Sequence, residues 1–386
     1  MTFTESILDT LRDLLPEQRP IGLHEPSFGD TEKTLLADCL DSGWVSSVGR
    51  YVDRFEQDLA DVTNIPHAIA TVNGTSALHT CLILAGVQPG DEVLLPALTF
   101  VGSANPVAHL GATPHFVDSE TATLGVDPER LTDYLADIAE LRNNICVNRH
   151  NGRPIRALMV VHVLGHPARM DALASIAEHY RLVLIEDAAE SLGSWRGGRH
   201  TGSWGRLAAL SFNGNKIITS GGGGAIVTSD PDMARRAKHL TTTAKQPHPW
   251  AFEHDTVGYN YRLPNLNAAL ACAQLEHLPE RLAQKRRLAK RYATAFAGIP
   301  DLHFQLEPKN CRSNYWLNLL LLPDAEQRDQ LLAAAHAEGI HLRPFWTPLH
   351  RQAMYADAPR MPLPQTEELF TRGVCLPSSA VLGGEA

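Results

Sequence analysis

The sequence contains no apolar run that reaches the roughly 20 residues a helix needs to cross a bilayer, so a membrane-spanning protein is not expected. Cysteine is sparse: Cys39, Cys81, Cys146, Cys272, Cys311 and Cys375 are scattered without a CxxC spacing. That excludes a disulfide framework or a zinc-ribbon site and reads as reduced thiols of a cytoplasmic protein. Positive charge is in deficit, with 34 Lys+Arg against 43 Asp+Glu and a formal net charge of −9. The imbalance argues against general binding to nucleic acid or to an anionic membrane. The stretch MTFTESILDTLRDLL carries Glu5, Asp9 and Asp13 and lacks a signal peptide's apolar core. Also absent are the phosphate-loop pattern GxxxxGK(S/T), any repeat with a period of about 20–50 residues, and low-complexity tracts.

What is present is a chain of 386 residues, 44% hydrophobic, enough for a large core and about two or three domains. The runs HAIATV (67–72), DEVLLPA (91–97), TPHFVD (113–118), RALMVVHVLG (156–165) and LVLIEDAA (182–189) read as strands. Between them TSALHTCLILAG (75–86), TFVGSANPVAHLG (99–111) and MDALASIAEHYR (170–181) read as helices. Near-continuous apolar strands alternating with helices predict a parallel sheet covered on both faces. Beyond about residue 230 the texture changes: 266–298 and 325–338 are helix-forming, with short strand candidates HFQL and YWLNLLLL between them. The expected organisation is a large, mainly parallel α/β domain over 1–250, including the N-terminal helical segment, and a smaller α+β domain over 251–386. The basic stretch QKRRLAKR (284–291) reads as a solvated helix face, and His162 as a satisfied core histidine.

Three junctions carry chemistry. VNGTSALHT (72–80) joins a strand to a helix, and Gly74, Thr75 and Ser76 stand beside free helix N-terminal N–H groups, a seat suited to phosphate. An ordinary helix cap has the same residues. LVLIEDAAESLGS (182–194) places Glu186 and Asp187 at the carboxyl end of a buried strand, where open α/β sheets bind ligands. Such an acid caps a helix, binds a metal or partners a cationic ring nitrogen; no His/Asp cluster matching a metal site is apparent. SFNGNKIITSGGGG (211–224) places Lys216 after a strand and before four glycines. Phosphate seat, strand-end acid, Ser211 and Lys216 together are what pyridoxal phosphate needs: donors for its phosphate, an acid for its ring nitrogen and an amine for its aldehyde.

With GWVSSVGRYVDRFE, NGTSAL, PALTFVGSANPV, VHVLGHPARMDAL, IEDAAESLGS, SFNGNK and GYNYRLPNLNAAL in this order, the chain resembles the pyridoxal phosphate-dependent nucleotide-sugar aminotransferases of the DegT/DnrJ/StrS group. The resemblance runs from about Trp44 to the C-terminus and implies the fold-type-I aminotransferase fold. It implies Lys216 as the lysine that bonds the cofactor and Asp187 as the acid on its ring nitrogen. It further implies Gly74, Thr75, Ser76 and Ser211 as the phosphate cup and Phe100 as the aromatic on the ring. Asn260 matches an asparagine that reaches the cofactor phosphate of the neighbouring subunit, so a homodimer with shared sites is expected. Glu190 falls where many relatives have Gln or His near the cofactor hydroxyl. EDAAESLGS with FNGNKIIT resembles enzymes making UDP-N-acetylbacillosamine or legionaminic acid precursors. The implied reaction moves an amino group from L-glutamate to UDP-2-acetamido-2,6-dideoxy-4-hexulose. GDP-4-keto-6-deoxymannose and dTDP-4-keto-6-deoxyglucose are alternative acceptors. A dehydratase of the same fold would have histidine in place of Lys216, and a nucleotide-sugar sensor is the non-enzymatic alternative. Arg50, Tyr51, Tyr315, Trp316, Arg343 and His350 are candidates for the sugar pocket.

Overall fold

The computed structural model describes residues 2–384. Seven strands form the principal sheet: β1 (His67–Thr71), β2 (Glu92–Pro96), β3 (Thr113–Val117), β4 (Ile155–Val161), β5 (Val183–Asp187), β6 (Leu207–Ser211) and β7 (Gly224–Thr228). Their spatial order is β1-β7-β6-β5-β4-β2-β3. The contacts from β6 through β5, β4 and β2 to β3 are parallel. β7 runs antiparallel to both β6 and β1. A parallel neighbour needs a long crossover, and the connection from Ser211 to Gly224 has no helix to supply one, so the chain turns back.

β2 is buried along its whole length, as its apolar run requires for a strand with covered faces. The helix Gly74–Leu84 leaves the end of β1 and is buried nearly all round. The elements are generally shorter than their runs, and in two the cause is plain. In 99–111 only Asn105–His109 is helical, because Thr99 Oγ1 and Ser103 Oγ bond each other 2.9 Å apart in the preceding turns and Pro106 then starts the helix. In 156–165 the strand stops at Val161, and Leu164 turns into the left-handed region at φ 55°. His162 fixes that turn. It is fully buried, its Nε2 lies 2.9 Å from Glu186 Oε2, and its Nδ1 accepts from Ala168 N–H at 3.2 Å.

A second sheet holds β8 (His303–Phe304), β9 (Asn318–Leu321), β10 (Arg343–Pro344) and β11 (Gly373–Leu376), all antiparallel in the order β8-β9-β11-β10. Core membership crosses the expected boundary at 250/251. The helix Phe3–Leu14 buries Ile7, Leu8 and Leu11 against Leu288, Tyr292 and Leu320 of the second unit. Conversely, Leu349, Tyr355 and Met361 complete the core of the first. In both cases an apolar face goes to the nearest uncovered apolar surface, whatever its chain order.

The basic stretch 284–291 is only partly solvated. Arg287, Lys290 and Arg291 are exposed on the helix Leu278–Phe296, but Lys285 is 1% exposed. It lies on the same stripe as Leu288, Ala289 and Tyr292, and its amine reaches two backbone carbonyls, those of Trp316 and Ser378. Among the described residues all six cysteines are free, no helix is long and apolar enough to cross a membrane, and no group of side chains could hold a metal ion.

Candidate active site

The strand-to-helix turn after β1 begins the site. Asn73 caps the helix, its side chain accepting from Ser76 N–H at 2.7 Å. The N–H groups of Gly74 and Thr75 then stand in the first turn, where a helix has no internal partner for them. Two close approaches shape this turn into a cup. A Cβ on Gly74 would lie 3.0 Å from Ser211 Cβ, and one on Gly224 would lie 2.4 Å from the carbonyl carbon of Asn73. Only glycine lets the starts of the helix and of β7 come this near.

The cup opens into a cavity of about 300 Å³. Asp187, at the end of β5, lines it. One carboxylate oxygen accepts from Ser103 Oγ at 2.7 Å and the other from Ala189 N–H at 3.1 Å. Its neighbour Glu186 points the other way, as alternate strand residues do. Glu186 accepts from the N–H groups of Gly202, Trp204 and Gly205 and pairs with His162. Burial alone would raise its pKa; His162 and these N–H donors hold it below the ordinary value. Glu186 therefore builds the floor, and Asp187 faces the cavity.

Lys216 sits in the turn between β6 and β7. Its Nζ lies 3.4 Å from Glu190 Oε1 and 3.8 Å from the ring centroid of Trp316. Trp316 is held in turn by its indole N–H, which donates to Asn215 O at 2.7 Å. The other oxygen of Glu190 accepts from Leu164 N–H at 2.8 Å, which is what the left-handed turn at Leu164 makes possible. Burial pushes the Glu190 pKa up to about 7, against the opposing pull of Lys216. Glu190 thus stands beside the Lys216 amine with its acidity weakened by burial.

The chain therefore gathers Gly74, Thr75, Phe100, Asp187, Glu190, Ser211, Lys216 and Trp316 around one space, while Ser76, buried in the first turn of the same helix, is not among the residues lining it. Phe100 is 55% exposed at the cavity edge, an open ring face. Amine, acid, open aromatic and glycine-narrowed anion cup fit pyridoxal phosphate. Other sequence candidates lie elsewhere within the chain. Arg50 and Tyr51 are bound to Asp38 Oδ2, at 2.6 and 2.9 Å, beside a different cavity that includes Trp44 and Val48. Tyr315 is buried, with its hydroxyl accepting from Glu307 N–H at 3.0 Å. Arg343 is exposed on β10, and His350 pairs with Glu367 at 2.7 Å. A nearer partner or the core claims Arg50, Tyr51, Tyr315 and His350, while Arg343 faces outward from β10. Asn260 is exposed outside the cavity, its side-chain oxygen accepting from Arg262 Nε at 3.0 Å. Sequence reasoning missed Ser103, whose signal was a hydroxyl four residues after Thr99, and Trp346, which had none.

The sequence profile of the DegT/DnrJ/EryC1/StrS aminotransferase family matches residues 26–386. A GDP-perosamine synthase of Escherichia coli O157:H7 is 35% identical over 365 residues, 95% of each chain. EpsN of Bacillus subtilis (strain 168), described as a pyridoxal phosphate-dependent aminotransferase, is 35% identical over 94% of this chain and 92% of its own. The crystal structure of the aminotransferase TlmJ from Streptoalloteichus hindustanus superposes with a TM-score of 0.84 at 28% identity, covering 93% of both chains. The chain thus belongs to the DegT/DnrJ/EryC1/StrS aminotransferase family and has its fold-type-I architecture: it is a pyridoxal phosphate-dependent aminotransferase.

Proposed function

We propose that the enzyme moves an amino group from L-glutamate to C4 of UDP-2-acetamido-2,6-dideoxy-4-hexulose, giving UDP-4-amino-4,6-dideoxy-GlcNAc. The observation that carries the transaminase site is the placing of Lys216, Glu190 and Asp187 on one cavity with the Gly74 helix terminus. When bound, pyridoxal phosphate supplies an aldehyde and a protonated ring that draws negative charge from the reacting carbon. The chain does the rest. Gly74 and Thr75 N–H groups with the Ser211 hydroxyl hold the phosphate. Asp187, steadied by Ser103 and Ala189 N–H, keeps the ring nitrogen protonated. Lys216 Nζ, once free, carries the proton from the donor's α-carbon, and Glu190 Oε1 stands 3.4 Å from it. Phe100 packs on the ring face. A second copy of the chain brings its Asn260 to the phosphate, so the working unit is a homodimer.

The choice of acceptor is supported by Glu190 within EDAAESLGS and by FNGNKIIT around Lys216. A site that hydrogen-bonds the acetamido group discriminates strongly against sugars lacking it. A second reading, GDP-4-keto-6-deoxymannose aminated to GDP-perosamine, is favoured by the relative of that name. EpsN is equally similar, at 35% identity. The test is purified enzyme with glutamate and the UDP-acetamido, GDP and dTDP 4-keto-6-deoxy sugars. The UDP sugar is expected to give the highest kcat/KM; a higher value for either competitor refutes the acceptor, and no turnover with any refutes the 4-keto sugar reading. Borohydride reduction is expected to fix the cofactor to the peptide containing Lys216, and label on another lysine would overturn that role.

A further inference from the structure

Trp316 and Trp346 both line the cavity, stacked with ring planes 16° apart and centroids 6.3 Å apart. Their commitments differ. Trp316 is locked on every side: its indole N–H goes to Asn215 O, its backbone N–H to Asn314 Oδ1 at 2.8 Å, its carbonyl to Lys285, and Lys216 Nζ lies over its ring. Trp346 is held by ring contacts alone, stacked on Trp316 and tilted against Phe345. Phe345 is buried in the core, while Trp346 itself is half-buried and its indole N–H makes no hydrogen bond among the described residues. A large aromatic with an uncommitted N–H, held against a rigid partner at the edge of a polar cavity, suits a ligand with a flat C–H face flanked by oxygens.

A 4-keto-6-deoxy hexopyranose is such a ligand. Loss of the C6 hydroxyl leaves a methyl, and the C4 ketone is an acceptor without a proton. Glutamate, charged at both ends, offers no comparable face. We infer that Trp346 is the platform for the acceptor sugar, a specificity residue for the second half of the transamination that the first half does not need. The inference rests on the proposed 4-keto sugar reaction but not on which nucleotide is attached.

The two half-reactions can be read separately in the holoenzyme by cofactor absorbance. Glutamate alone converts the pyridoxal to the pyridoxamine form; the UDP-acetamido or GDP 4-keto sugar alone reverses it. With Trp346→Ala the sugar step at low sugar concentration is expected to slow about tenfold or more while the glutamate step stays within about twofold, since a tenfold change corresponds to one good aromatic contact. Trp346→Phe should recover much of the sugar step. Trp316→Phe, which disturbs the neighbour of Lys216, should slow both. A Trp346→Ala enzyme slowed equally in both steps, or in neither, overturns the inference. Wild-type enzyme that aminates no 4-keto sugar overturns the underlying reading, and that is visible before any variant is made.

Discussion

Lys285 donates from its buried amine to the carbonyl of Trp316 at 3.0 Å, tying the second unit's long helix to the residue that cradles Lys216. No acid pairs with it among the described residues. Burial pushes its pKa well down, favouring the neutral amine, which still has donors for the Trp316 and Ser378 carbonyls. Lys285→Met keeps the length and removes both bonds. Each stranded carbonyl costs roughly 1–3 kcal/mol, so the urea midpoint should fall clearly, and turnover with it. An unchanged midpoint would show that the amine is dispensable.

Asp187→Ala should retain the cofactor yet lose activity about 100-fold or more, because a buried cation that loses its charge partner costs several kcal/mol. Ser103→Ala removes one donor to that carboxylate and should cost about tenfold. Near-normal kcat in the Asp187 variant would reduce the carboxylate to a turn cap.

The pH dependence of stability has two opposing parts. Glu190, with its pKa raised by burial from 4.5 to about 7, binds its proton more tightly when folded. Its contribution is therefore present at low pH and lost as pH rises through that window. His166 and His200, pushed by burial from 6.5 down to about 4, act oppositely, and their contribution is lost as pH falls between those values. Glu190→Gln removes the first part alone. Its Tm should drop more steeply than that of the wild type on going from pH 7 to pH 5, and parallel curves would contradict the assignment.

Gly224→Ala should be severely destabilising and abolish cofactor retention, because its Cβ would overlap the Asn73 backbone at 2.4 Å. Gly298→Ala, with nothing within 4 Å of its Cβ, is the control and should leave the Tm unchanged or slightly raised. Equal behaviour of the two variants would mean that the cup tolerates a methyl group.

The strands and the main site were legible because each depends on local pattern. β2, β3 and β5 follow from short apolar runs, and Asp187 and Lys216 from motifs that place an acid or amine at a strand end. Orientation was not local: β7 is antiparallel because of the helix-free connection before it. The burial of Lys285 was readable in principle, since it precedes Leu288, Ala289 and Tyr292 at helical spacing, but its charge masked the stripe. Trp346 could not be found, because only packing of the second unit against the first brings it to the cavity.

β1 lies at the sheet edge, and its one neighbour within that sheet is β7, the last strand of the seven to be synthesised. The NGTS turn is among the first parts of the sheet to leave the ribosome, yet the backbone that closes it as a cup arrives only with Gly224. This pairing carries a high loop-closure cost and belongs late in assembly. Capture of the cofactor then reports that the whole sheet has closed. A nascent chain ending before β7 should emerge colourless, whatever cofactor is supplied.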